Sequence, residues 1–181
     1  MKFDIGTELP DNFVLTKEFS DVYNLINDTN INLFITGKAG SGKSTLLEYF
    51  RQNTNKNFVT LAFQGITAIK AKGQTLHSFF KFGPHFLVKE EIKLLKDKSL
   101  IQSLDTILID EISMVRADLF DAIDLSLKKN RKNNKPFGGV QMIVFGDVMQ
   151  IDPIVGSSDE EMMEKFYPKG RFFFNSNIYE K

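Results

Sequence analysis

The sequence predicts an α/β domain, a central parallel sheet covered by helices on both faces as a three-layer sandwich. Three observations predict it. Short apolar runs alternate with segments of helical periodicity along most of the chain. A glycine-rich run, residues 37–45 (GKAGSGKST), stands between an apolar run and a helical one. A further apolar run, residues 105–111 (DTILIDE), ends in two acids.

Composition bounds the rest. The chain has 181 residues, enough for one domain with a proper core, and 42% hydrophobic with 25% charged residues is an ordinary globular balance. Formal net charge is zero, so any affinity for nucleic acid must come from local patches. The absence of cysteine excludes disulfides and cysteine metal sites and suits a reducing compartment. The first ten residues carry Asp4 and Glu8 and no apolar block, unlike a signal peptide, and no run is long and apolar enough to span a bilayer. A cytoplasmic (bacterial-type) or nuclear, non-secreted, non-membrane protein is the expectation.

In order, residues 16–27 place Phe19, Val22, Tyr23 and Ile26 at helical spacing. This lead-in helix, within residues 1–30, either packs on the domain or touches an adenine. Residues 31–36 read as the first strand and 46–51 as the helix after the glycine run. Residues 58–63 form the second strand, broken by Gln64 and Gly65, and 66–72 look helical. The Phe-rich stretch 79–86 turns at Gly83 and Pro84, and 88–104 carries Val88, Ile92, Leu95, Ile101 and Leu104 at helical spacing. Residues 105–111 are the third strand and 116–129 a helix with Leu119, Ile123 and Leu127. The basic, Asn-rich residues 128–135 suit a solvated helix end. A turn at 136–139 leads to a fourth strand, 140–145, and Arg171 to Phe174 are a candidate fifth. Residues 31–155 then form the main domain, and 156–181 a C-terminal segment.

The glycine run fits G-x-x-x-x-G-K-[ST], the Walker A phosphate loop. Glycines let the backbone bend until successive N–H groups face one anion, and the next helix aims its positive end at the same point. Gly37, Ala39, Gly40, Ser41, Gly42, Lys43, Ser44 and Thr45 are the candidate nucleotide-binding residues. Lys43 is expected on the β- and γ-phosphates and the Ser44 hydroxyl on Mg²⁺. Residues 107–111 are then a Walker B segment: Asp110 can hold Mg²⁺, and Glu111 can polarise the attacking water as general base. Gln150, where the chain leaves the fourth strand, can bond the γ-phosphate or the lytic water. The candidate catalytic set is Lys43, Asp110, Glu111 and Gln150, with ATP and Mg²⁺ as cofactors.

Four blocks in this order, 37–45, 73–80 (GQTLHSFF), 109–116 (IDEISMVR) and 136–153 (PFGGVQMIVFGDVMQIDP), resemble the Pif helicase family, in the Pif/RecD branch of superfamily-one DNA helicases. The resemblance covers about residues 31–155 and implies the first RecA-like P-loop NTPase domain of a motor that moves 5′ to 3′ on single-stranded DNA and unwinds duplexes. It implies that Gln64, Gly65, His77, Ser78 and Phe79 line the DNA strand, although His77 and Phe79 also suit a core pair. It also implies a second RecA-like domain as partner. Departures are Phe63-Gln64-Gly65 where the family has Pro-Thr-Gly, Asp152 where it has Pro, and no adenine-reading Gln in the lead-in helix. Two readings from other classes stay open: a nucleotide-gated single-stranded DNA-binding module without catalysis, and a small phosphate-loop kinase.

Overall fold

The computed structural model of the chain describes residue 9, residues 13–70 and residues 73–179. Five parallel strands form one sheet in the order β1-β5-β4-β2-β3. They are β1 (Leu33–Thr36), β2 (Phe58–Ala62), β3 (Gln74–Thr75), β4 (Thr106–Asp110) and β5 (Gln141–Gly146). The all-parallel, two-face-covered sheet is the α/β architecture expected.

The layers follow from side-chain alternation along each strand. On β4, Ile107 and Ile109 join one buried cluster while Leu108 joins another. On β5, Met142 and Val144 join the first and Ile143 and Phe145 the second. The second cluster is closed by α1 (Lys17–Asp28), through Ile26, and by α2 (Lys43–Asn53), through Leu46, Leu47 and Phe50. Thr16 caps α1 by accepting from the Phe19 amide at 3.3 Å, and the Tyr23 hydroxyl donates to Asn53 O at the end of α2 at 2.9 Å. The lead-in helix therefore packs on the helix that follows the glycine run.

The larger cluster lies on the opposite face under α4 (Leu76–Phe80) and α6 (Ala117–Arg131). Two short helices, α3 (Gly65–Lys70) and α5 (Ser99–Ser103), and α7 (Glu160–Phe166) complete the set. The expected helix end at residues 71–72 lies outside the described residues, as does most of the N-terminal stretch on which the signal-peptide reading rested. Among the described residues no helix is long and apolar enough to cross a membrane.

Two elements differ from expectation. Residues 88–104 are not one helix: a single 3₁₀ turn, Lys89–Glu91, and α5 flank irregular chain. The reason is competition for the backbone. Asn130 Oδ1 accepts from the Leu95 amide at 2.9 Å and Lys129 Nζ donates to Ile92 O at 2.7 Å, while Asp97 accepts from both the amide and hydroxyl of Ser99 and restarts the helix there. Arg171 to Phe174 is not a strand. Phe172 makes one antiparallel bridge to Arg116, and Phe173–Asn175 turns into a 3₁₀ helix with Phe173 fully buried beside Phe34 and Phe120. The fifth strand is instead β3, which pairs with β2 at Leu61↔Gln74 and Ala62↔Thr75.

Candidate nucleotide-binding site

The glycine run leaves the C-terminal end of β1 and opens α2. Gly40 (φ 78°) and Gly42 (φ 89°) take left-handed backbone that other residues adopt at a cost of roughly 1–2 kcal/mol. A side chain at Gly37 would place its Cβ 2.5 Å from Ser41 Oγ, and one at Gly42 would meet the Phe19 ring at 3.3 Å. The positive φ at Gly40 and Gly42 thus favours glycine in this loop. α2 begins at Gly42 without a side-chain cap, so its first amides keep their donor capacity for an anion. Lys43 folds its ammonium back over the loop, donating to Gly37 O and, at 3.0 Å, to Lys38 O. These features fit a polyphosphate: left-handed glycines, a helix start and a lysine meet in one loop.

Strand order sets the rest of the site. β5 alone separates β1 from β4, so the loop and the acids lie two strand spacings apart, about 10 Å, at the same rim. The register agrees: Thr36 is level with Gly146, and Ile109 with Val144, so Asp110 ends β4 beside the point where β1 gives way to the loop. Burial raises the Asp110 carboxyl above its ordinary pKa. The Glu111 amide opposes this, donating to Asp110 Oδ1 at 2.9 Å; the Glu111 charge adds to it, and the Lys43 charge opposes it. Lys43 and Asp110 therefore share one electrostatic environment. A cation beside Asp110 would offset its desolvation, and Ser44 with Asp110 forms the sparse donor set that suits Mg²⁺ completed by phosphate oxygens. Among the described residues no cluster of three or more His, Asp or Glu forms a self-sufficient metal cage.

Glu111 sits at φ 53°, ψ 46°, a left-handed conformation for a non-glycine residue and a strain of order 1–3 kcal/mol. Its Oε2 accepts a hydrogen bond from Thr67 Oγ1 at 2.7 Å. Thr67 is buried on α3. Sequence reasoning missed it, because its partner is 44 positions away and only the β2–β4 pairing brings them together. Gln150 is exposed at the end of β5 in a turn shaped by Asp147, whose Oδ2 accepts from Gln150 Nε2 at 3.2 Å and whose Oδ1 accepts from the Met149 amide at 3.1 Å.

The residues expected on DNA share the rim with this site, on the far side of β4. Gln64 and Gly65 are exposed where α3 begins, and Ser78 is exposed on α4. His77 is half-buried with its ring edge-on to Phe63, centroids 5.6 Å apart. Burial, then the Arg116 charge, lowers the His77 pKa below the ordinary histidine value, with Asp118 opposing. Phe79 points inward instead: it is 8% exposed and meets Phe80 edge-on at 4.9 Å, so its ring belongs to the core. Below His77, Arg116 is buried in a second feature that sequence reasoning missed. Its Nε and one terminal nitrogen grip Asp118 at 2.9 and 2.8 Å, and it also reaches Asp159 at 3.3 Å and His85 O at 3.0 Å.

Comparison with known proteins gives the family. The family model for PIF1-like helicases matches residues 14–168. The chain is 39% identical over 152 residues to the ATP-dependent DNA helicase Pif1 of Psychrobacter sp. (strain PRwf-1), which covers 76% of this chain and 22% of the relative. It is 35% identical over 163 residues to the ATP-dependent DNA helicase RRM3 of Saccharomyces cerevisiae, with 84% and 22% covered. Among solved structures, Bacteroides Pif1 helicase in complex with ADP-AlF₃ and ssDNA superposes with TM-score 0.84 at 40% identity, covering 93% of this chain and 40% of that one. Candida albicans Pif1 helicase superposes with TM-score 0.77 at 30% identity, covering 93% and 38%. The chain thus spans about a fifth of the length of these curated relatives. With the motif, the rim geometry and the family match in agreement, the chain belongs to the PIF1-like helicase family.

Proposed function

We propose that this chain is the first motor lobe of an ATP-dependent DNA helicase, a RecA-like domain that binds and hydrolyses Mg-ATP and holds part of a single-stranded DNA track. The observation that carries the reading is the convergence of the glycine cradle, Lys43 and the Asp110–Glu111 pair at one rim of the sheet. Relatives named as ATP-dependent DNA helicases, and a similar structure holding ADP-AlF₃ and ssDNA, support it.

Bound Mg-ATP would supply the phosphoanhydride bond and a charge-neutralising cation. The amides of residues 39–45 bind phosphate oxygens, and Lys43 exchanges its loop carbonyls for the β- and γ-phosphates. Ser44 and Asp110 hold the cation. Glu111 accepts the proton of the attacking water, and Gln150 bonds that water or the γ-phosphate. Gln64, Gly65, His77 and Ser78 contact DNA phosphates, with Phe79 supporting them from the core. Residues 31–155 form the lobe, and a second RecA-like lobe closes the site and the DNA channel. The coupled motor moves 5′ to 3′.

Lys43→Ala is expected to weaken ATP binding on the order of 10- to 100-fold, since hydrogen bonds to charged groups contribute ~1.5–3 kcal/mol. Titration with a fluorescent ATP analogue checks this. Wild-type affinity in the variant would refute the loop assignment. Glu111→Gln should leave affinity in place and abolish turnover with or without single-stranded DNA; no change in turnover would favour a non-catalytic binding module.

A further inference from the structure

The Glu111 carboxylate is engaged on the wrong side of its own strand. In the order β1-β5-β4-β2-β3, the phosphate loop lies beyond β5 and α3 follows β2, on the opposite side of β4. Through Thr67, Glu111 is bonded toward α3, away from the phosphates, at 2.7 Å. To turn toward a water at a γ-phosphate the carboxylate must give up this hydrogen bond. The left-handed Glu111 backbone lies between β4 and the 3₁₀ turn Ile112–Met114.

The element that holds Glu111 is the one whose first residues face DNA in the proposed function. Gln64 and Gly65 are exposed at the start of α3, three and two positions before Thr67, and Gln64 O accepts the Ala68 amide at 2.9 Å as the helix begins. α3 is six residues long with only Thr67 and Ala68 buried, while Ile66 is 70% and Ile69 77% exposed. So little buried surface makes α3 one of the more easily displaced elements.

We propose that Thr67 is a latch on the catalytic base: its hydroxyl holds Glu111 in an idle position, and single-stranded DNA bound across Gln64 and Gly65 shifts α3 and releases the carboxylate toward the phosphates. Thr67 is a positioning residue, touching neither nucleotide nor DNA. DNA acts because it favours the displaced position of α3 over the latched one, the condition under which a ligand shifts an equilibrium. The inference rests on Glu111 being the base of the proposed ATPase.

Thr67→Val keeps the shape and removes the donor. Without DNA, its ATP turnover should exceed wild type about tenfold, the equivalent of roughly 1.4 kcal/mol, with nucleotide affinity unaltered. A dT oligonucleotide should raise the wild-type rate and add little to the variant. Thr67→Ser retains the hydroxyl and should restore the wild-type response, which a packing role for the methyl group would not predict. An independent readout is the side-chain carboxyl ¹³C resonance of Glu111, assigned with Glu111→Gln. Thr67→Val should move it, and dT oligonucleotide should move the wild-type signal the same way. A Thr67→Val rate at or below wild type with DNA stimulation intact, or an unmoved resonance, overturns the latch. A fluorescent ATP analogue run in parallel separates the two ideas: wild type that fails to bind it overturns the nucleotide reading and the latch together, whereas binding with an unaltered Thr67→Val rate overturns the latch alone.

Discussion

His77 shows how a single residue at the rim can bear on stability. Burial and the Arg116 charge both lower its pKa in the folded protein, outweighing Asp118. The unfolded chain, with histidine near its ordinary value of 6.5, therefore binds more protons than the folded one across the interval just below that value. Folding stability is complete above the unfolded pKa and is lost as pH falls through the folded one. Urea unfolding should accordingly show wild type losing more stability between pH 7 and pH 5 than His77→Asn. Identical losses in the two proteins would mean that His77 does not titrate differently on folding. A neutral His77 at pH 7 also offers one ring N–H to a phosphate, so DNA affinity carried by it should strengthen as pH falls toward its folded pKa. The residues of the phosphate loop were legible because their chemistry is local, contained in nine consecutive positions. Thr67 was not, since a threonine between Ile66 and Ala68 carries no signal until the sheet is assembled.

At the scale of elements, burial decides what sequence can show. β4 and β5 were legible as strands because consecutive residues face two different cores, which keeps residues 107–109 and 142–145 apolar. The helix expected at 88–104 was not formed, although Ile92, Ile101 and Leu104 of its pattern are buried, because side chains of another element take its backbone groups. What holds this region is the end of α6: Asn130 and Lys129 bond its backbone, and Arg131 donates to the carbonyls of Ile101, Gln102 and Leu104. Residues that looked like a solvated basic end thus fasten a neighbouring segment. Arg116 does the same at the other end of α6, joining Asp118, Asp159 before α7, and His85 O, while Asp118 also takes the Leu87 amide at 3.0 Å. Arg116→Ala would leave the buried carboxylates of Asp118 and Asp159 without their cation, a loss of about 3–5 kcal/mol. The midpoint of urea unfolding should fall accordingly, and the His77 pKa should rise as the opposing charge disappears. A midpoint within error of wild type would show that the network is not a fastening.

For the whole molecule, the disposition of arginine bears on how much of an ATPase the lobe can be alone. The chain has four. Arg51 bonds Thr60 at 2.8 Å, Arg116 is committed to its two aspartates, Arg131 to backbone carbonyls, and Arg171 pairs with Glu160 at 3.6 Å. Each has a structural employment within the domain, three of them at or near burial. Freeing one to meet charge developing on a transferred phosphoryl group would break the contacts just described. An arginine that stabilises this charge is worth ~10³–10⁵ in rate, and in the proposed function it comes from the second lobe. The 181-residue chain is therefore expected to bind Mg-ATP, turn it over slowly, and leave a forked duplex intact. Joining it to the downstream lobe of a relative should raise turnover by about three orders of magnitude or more. Release of inorganic phosphate and strand separation on a labelled fork measure both outcomes. Fast turnover by the lone chain would contradict the requirement for a second lobe, and alanine substitution of Arg51 or Arg171 would then identify which of its own arginines had left its place.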